Sequence, residues 1–381
     1  MNLVGFGRRA ASRRTAILAA FVSAVLLGPG SVAAQTGSSV VTPSDGGTRP
    51  DAPPTSTAPS DTRTGHAIIT LQIENDFFTR WARSDKDYTN GLRLGWLSAP
   101  MSMPAWLTDI TTVPTFLGEA PTTGAVRRWG FSIGQNIYTP ENTATSLPIP
   151  DDRAYAGWAY VGFTLQYIYT RDNETVRLDT LQLDLGFVGP KAGGRFVQNN
   201  FHSLIGVEKS HGWANQLDSQ VTANLTFERR WRTGRRTLIE DPKLEVDFIP
   251  TMGVSLGNVA TFGSVGGFVR IGQDLRDDFG PPRARPSMPG SETFTAADAF
   301  GWYIFFGIQG EAWAWNQFLD RHTFPGGPDV DSRHFVADFS AGAALLFRNL
   351  RLSYTHVVRT PEFKERSRVH QYGSISLAIR Y

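Results

Sequence analysis

The most unusual chemistry of the chain lies between Ile73 and Trp96, in the stretch I-E-N-D-F-F-T-R-W-A-R-S-D-K-D-Y-T-N-G-L-R-L-G-W. Glu74, Asn75 and Asp76 come first, and Asp85, Asp87, Tyr88, Thr89 and Asn90 follow after a short loop. Carboxylates, amides and hydroxyls without sulfur or clustered imidazole make an all-oxygen donor set, which suits a hard cation such as calcium. Glu74 and Asp76 are the metal-ligand candidates, while Asp85 and Asp87 either join them or cap a tight loop. A second polar concentration spans residues 189–217, G-P-K-A-G-G-R-F-V-Q-N-N-F-H-S-L-I-G-V-E-K-S-H-G-W-A-N-Q-L. Gln198 and His202 are four apart, so on a helical turn they share one face. A neutral imidazole accepts a proton from water near neutral pH, which makes His202 a candidate general base. Glu208, beyond Gly206, either orients it or binds a metal, and a merely solvated loop histidine is the plainer alternative. Ser203 follows directly, but adjacent residues point different ways, so it is a poor nucleophile candidate.

These clusters are flanked by strands. Ala67, Ile69, Leu71 and Ile73 alternate with His66, Ile68, Thr70 and Gln72, and Leu92, Leu94 and Trp96 alternate with Arg93 and Gly95. That period of two predicts a hairpin with the oxygen donors gathered at one rim. Further candidates lie near 127–137, 155–169, 174–187, 220–231, 243–255, 258–273, 300–313, 333–347, 350–360 and 371–381, which with 67–75 and 88–98 makes twelve. Many reach ten residues or more against the usual ~5 to 6, the length of tilted membrane-crossing strands. The last strand, with Ile375, Leu377, Ile379 and terminal Tyr381 on one face, is amphipathic and ends on an aromatic. The expected fold is therefore all-β, a single-domain twelve-stranded antiparallel transmembrane barrel over 66–381. Residues 99–126 are expected to hold a short amphipathic helix or an ordinary insertion, and 274–299 to be irregular.

The start of the chain predicts export. Arg8, Arg9, Arg13 and Arg14 head an uncharged run from Ile17 to Leu27, and Val32-Ala33-Ala34 offers a small-residue cleavage site. Residues 1–34 read as a secretory signal peptide and 35–65, rich in Ser, Thr, Pro and Gly, as a disordered spacer. A formal net charge of +2, with 37 basic residues scattered among 35 acidic ones, argues against a nucleic-acid partner.

The motifs E-N-D and D-Y-T-N-G-L, then Q-N-I-Y-T-P at 135–140, D-R-A-Y-A-G-W at 152–158, G-P-K-A-G-G, Q-N-x-x-H and G-W-A-N-Q-L together resemble the lipid A 3′-O-deacylase family of outer-membrane barrels. The likeness covers most of the mature chain from about Ile68 to Leu217 and weakens towards the C-terminus. It implies a twelve-stranded barrel integral to the Gram-negative outer membrane. The implied activity is calcium-dependent hydrolysis of the 3′-linked acyloxyacyl group of lipid A, or lipopolysaccharide. Carried over by position, the functional residues of that family fall on Asn75, Asp76, Thr89, Gln198, His202 and Glu208. His202 would then activate water, with Asp76 near the cation and Asn75 or Thr89 adding hydrogen bonds. A phosphorylated disaccharide also calls for cations, and the loop from Thr139 to Asp152 has none before Arg153; Lys191 and Arg195 are the other candidates. A related esterase acting on another acylated lipid, a passive pore and a structural barrel are the competing readings.

Overall fold

In the computed structural model the described residues are 65–79, 87–110, 125–171, 174–273, 275, 278–280, 292–294, 300–320 and 330–381. The expected signal peptide, nearly all of the spacer, Asp85, Asp274 and Asp277 lie outside them. Thirteen strand segments are present: β1 Ile68–Asn75, β2 Asp87–Leu97, β3 Val126–Thr139, β4 Ala156–Arg171, β5 Glu174–Val188, β6 Gln220–Trp231, β7 Thr233–Ile239, β8 Leu244–Gly257, β9 Ala260–Gln273, β10 Phe300–Asn316, β11 Phe335–Phe347, β12 Leu350–Arg359 and β13 His370–Arg380. Two helices accompany them, α1 Ala105–Ile110 and α2 Gly194–Ile205.

Apart from β6 and β7, each strand pairs antiparallel with its neighbour in sequence, and the sheet closes where β1 meets β13, from Ile68 opposite Arg380 to Asn75 opposite Gly373. The segments make twelve staves. β7 prolongs β6 beyond Arg232, and both pair with β8, Arg230 opposite Thr251 and Thr233 opposite Phe248. All twelve expected strands are found. The β7 prolongation was not expected, because T-G-R-R-T-L-I is polar and largely exposed and carries no apolar alternation.

The alternation is inverted relative to a water-soluble sheet. Ile69, Leu94, Phe131, Ile133, Val161, Leu185, Ile304, Phe306 and Ile308 point outward and are exposed, whereas Thr70, Gln72, Glu74, Arg93, Ser132, Gln166 and Asp184 are buried inside. An apolar outside and polar inside is the pattern of a barrel in lipid. No helix among the described residues is long and apolar enough to cross a membrane.

The lumen is filled rather than open. Arg270 forks onto Asp247, with Nε to Oδ1 at 2.9 Å; Arg351 donates to Asp278 at 3.0 Å; Arg359 donates to Glu311 and Asp338, both at 2.9 Å. All three arginines are 0% exposed. The connection between β9 and β10 reaches inside as well: Glu292 pairs with Arg93, Thr293 Oγ1 donates to Gln166 Oε1 at 2.6 Å, and Phe294 packs with Leu275, Tyr303 and Phe305. A wide aqueous channel would leave such side chains wet, so the pore reading is not supported.

Both chain ends of the barrel lie on one rim, and the meander puts the end of β2, the start of β3, the end of β9 and the start of β10 there too. The expected short helix is found as α1, whose Leu107 packs on the outer wall against Leu165, Tyr167 and Tyr169. The opposite rim carries the ends of β1, β3 and β5, the starts of β2, β4 and β6, and α2.

Because Arg270 is buried between two carboxylates, Arg270→Ala should lower barrel stability by about 3–5 kcal/mol. The denaturant midpoint for loss of the fast-migrating, heat-modifiable gel form measures this. An unchanged midpoint would show that the lumenal pairs do not hold the wall.

Candidate active site

On β1, Gln72 and Glu74 face the lumen and Asn75 faces out. Glu74 accepts from Gln72 Nε2 at 2.9 Å and from Tyr88 OH at 2.8 Å, all buried. Glu74, expected as a metal ligand with Asp76, thus has its carboxylate in the lumenal network, on the other side of the wall from Asn75. Asn75 ends the strand and caps the 3-10 turn Asp76–Phe78, its Oδ1 accepting from Phe77 N at 2.7 Å. Asp76 is 2% exposed, and its carbonyl accepts both the N–H and the hydroxyl of Thr79, at 3.1 and 2.8 Å.

Asp87 opens β2 with φ 63°, a left-handed conformation that aspartate tolerates better than most residues. The register of β2 against β3 then slips between Tyr88 and Asn90, leaving Thr89 as the bulged residue. Thr89 Oγ1 meets Thr139 Oγ1 at 2.7 Å, and by alternation Thr139 shares the outer face of β3 with Gln135 and Ile137. Asn75, Asn90, Ile137 and Gly157 are successive cross-strand partners and form one row across four strands of that face.

The helix α2 lies over this outer wall. Its buried stripe is Gly194, Gln198 and His202, four residues apart each time, as the sequence spacing predicted for Gln198 and His202. The start of α2 fits closely: a Cβ on Gly157 would come within 3.1 Å of the Gly194 Cα. One turn on, Val197 packs against the cluster of Ile137, Tyr155 and Trp213. Gln135 Nε2 donates to Ala192 O at 2.6 Å, and Trp213 Nε1 donates to Gln198 Oε1 at 2.9 Å. These wall and loop groups were read from the sequence only as motif or packing residues. The outward parity of Gln135, Ile137 and Thr139 was the available signal.

His202 is 3% exposed, and its Nδ1 lies 2.6 Å from the Glu208 carbonyl oxygen. A carbonyl only accepts, so Nδ1 carries a proton, and in the neutral ring Nε2 is the acceptor nitrogen. Glu208 thus orients the ring through its backbone, while its exposed carboxylate lies 3.5 Å from His211. Ser203 is on the outward side of α2, donating to Asn199 O at 2.9 Å.

Two more candidates are engaged at the rim. Asp87, read as either a metal ligand or a loop cap, pairs with Arg153 at 3.3 Å and Arg366 at 3.2 Å. Arg153 is not a free phosphate ligand, being 2% exposed and bonded to Glu362 at 2.6 Å. Burial pushes the Asp152 carboxyl up, with the Glu141 N–H and Arg366 pulling against it. Burial disfavours charge on Arg366, but Asp87, Asp152 and Glu141 outweigh it and raise its pKa. Lys191 and Arg195 are exposed beside α2. No group of three or more histidine, aspartate or glutamate side chains gathers for a metal among the described residues. What remains near Asp76 is oxygen from a carboxylate, an amide and a hydroxyl, a donor set that fits calcium in kind.

The family model described as outer membrane protein LpxR matches residues 22–381. The fold is similar to the solved structure of LpxR from Salmonella typhimurium, with 20% sequence identity, a TM-score of 0.63, and coverage of 82% of this chain and 99% of that one. The β domain of the Bordetella autotransporter BrkA is a more distant likeness, at 11% identity and a TM-score of 0.38 over 83% of this chain and 97% of that one. No curated protein matches the sequence.

The Gly157–Gly194 contact should be what seats α2. Gly157→Val should speed trypsin cleavage at the exposed Arg195 while the heat-modifiable barrel persists; an unaltered digestion rate would assign the docking to other contacts.

Proposed function

The chain belongs to the outer membrane protein LpxR family, and from that membership we propose that it is a lipid A deacylase, hydrolysing the ester that carries the 3′-linked acyloxyacyl group. The observation that carries this reading is His202. It is buried on the inner stripe of α2 with Nδ1 donating to the Glu208 carbonyl, so that in the neutral ring Nε2 is the basic nitrogen.

Reach supports bringing the groups together. From Gly194 over β4 to Val197 over β3 the helix rises ~4.5 Å, about one strand spacing of ~4.8 Å. On the same course, five further residues, ~7.5 Å, would carry His202 towards β2 and β1, whose outer face bears Thr89 and Asn75. Gln198, held by Trp213, fixes the middle of that stripe.

In the proposed reaction His202 Nε2 takes a proton from a water whose oxygen attacks the ester carbonyl carbon. The negative charge that develops on the carbonyl oxygen is met by hydrogen bonds from the Asn75 amide or the Thr89 hydroxyl. On collapse the proton passes from His202 to the departing sugar oxygen, releasing the fatty acid. Asp76, Asn75 and Thr89 would hold calcium, which when bound supplies Lewis-acid stabilisation of that charge. Lys191 and Arg195, exposed at the start of α2, would meet the phosphates of the disaccharide.

A positioned base contributes ~100 to 10,000-fold. His202→Ala should therefore nearly abolish release of acyl chain from lipid A, followed by mass spectrometry, in a barrel that still shows heat-modifiability. Ser203→Ala should retain turnover; a dead Ser203→Ala beside an active His202→Ala would overturn the water mechanism.

Excess EDTA should stop the reaction, and added calcium should restore it. Asp76→Asn should need more calcium than the wild type, whereas His202→Ala should not respond to it. Full turnover in EDTA would remove the cation from the scheme.

A further inference from the structure

The buried stripe of α2 has a counterpart that the site does not use. Phe196 is 73% exposed and Leu204 59%, eight residues apart on the side of the helix facing away from the wall, with Asn200 and Ser203 between them. Val207, 48% exposed, follows the Gly206 cap. Single exposed apolar side chains are ordinary. These stand on one face of a helix that is itself packed on the outer wall of a membrane barrel.

The strands near that rim carry exposed apolar side chains as well. Phe187 on β5 and Val221 on β6 are cross-strand partners, 44% and 68% exposed, and lead from the apolar belt up to the rim where α2 sits. Exposed cations frame the helix, Lys191 and Arg195 at its start and Lys209 beyond its end, against Glu208, which faces His211, and Asp218. A helix with apolar side chains on one outward stripe and lysine or arginine at its margins lies in the plane of a membrane interface, its long cationic stems reaching the phosphates.

We infer that the outward face of α2 is a binding surface for an anionic lipid layer: Phe196, Leu204 and Val207 enter the acyl boundary, and Lys191, Arg195 and Lys209 meet the phosphates. The helix is then clasped on both sides, by the barrel wall through Gly194, Gln198 and His202 and by lipid through its other face. This surface rests on the outer-membrane location and not on the deacylase reading.

The mature chain contains no cysteine, so single sites can be labelled directly. Phe196→Cys, Leu204→Cys and, as a control in the exposed loop before β4, Ala144→Cys are each given a nitroxide in the full mature barrel, in nanodiscs of phosphatidylcholine with phosphatidylglycerol. The labels at 196 and 204 should be relaxed by oxygen more than by a water-soluble nickel complex, and the label at 144 the reverse. If 196 and 204 behave like 144, the surface is wrong. Replacing phosphatidylglycerol by phosphatidylcholine alone should make the label at 204 shallower, and no change would overturn the anionic preference.

A kinetic arm separates this surface from the activity. Phe196→Ser combined with Leu204→Ser should raise the apparent KM for lipid A in vesicles about tenfold or more, the scale of two apolar side chains withdrawn from lipid, with kcat little changed. A fall in kcat at constant KM would make the face a support of the site instead. Immersed labels in a wild-type barrel that releases no acyl chain would leave the surface standing and remove the deacylase.

Discussion

In lipid a backbone amide has no partner except another strand, so the sheet must close on itself and every other side chain must tolerate hydrocarbon. The pairing of β1 with β13 meets the first demand. The second sends the polar residues of twelve staves into one interior, where they can persist only by satisfying each other. That is why Arg270, Arg351 and Arg359 are buried to 0% exposure among Asp247, Asp278, Glu311 and Asp338, and why the β9–β10 connection contributes Glu292 to Arg93. With the interior taken up by structure, chemistry is left to the outer surface and the rim.

At the rim the same wall supplies the local geometry of the site. A strict alternation would send consecutive side chains to opposite faces, as it does for Glu74 and Asn75. The slip at Thr89 breaks that rule once, and the left-handed Asp87 just before it is pinned from inside by Arg153 and Arg366. The interior ion pairs and the outer polar groups are thus two sides of one short piece of backbone. On the helix side, glycine at 157 and 194 removes the side chains that would otherwise hold α2 away from the wall.

The strands were legible in the sequence because lipid on one side and a packed polar interior on the other impose a period of two over unusually long runs. β7 escaped because it leaves that environment and its side chains are mostly exposed. The face shared by Gln198 and His202 was legible from helical spacing. The fates of Glu74, Asp87 and Arg153 were not, since residue type says that a charge must be matched but not by which strand. Glu208 shows the limit in another form: what it offers His202 is a carbonyl, which every residue possesses and no side-chain pattern reveals.

The two helices also set how much wall the membrane sees. On the β3–β4 side, Leu107 of α1 covers Leu165 and Tyr167 near one rim, and α2 covers Ile137 near the other. On β3 the freely exposed large apolar side chains are Phe131 and Ile133, whereas on β10 they extend from Phe300 through Ile304 and Phe306 to Ile308, about 26 Å along the strand. The membrane therefore meets the outer faces of helices on one side of the barrel and strands alone on the other. Strands hold their height, whereas a helix lying on the wall can tilt or shift, so a change in bilayer thickness would be taken up first on the side where α1 and α2 lie.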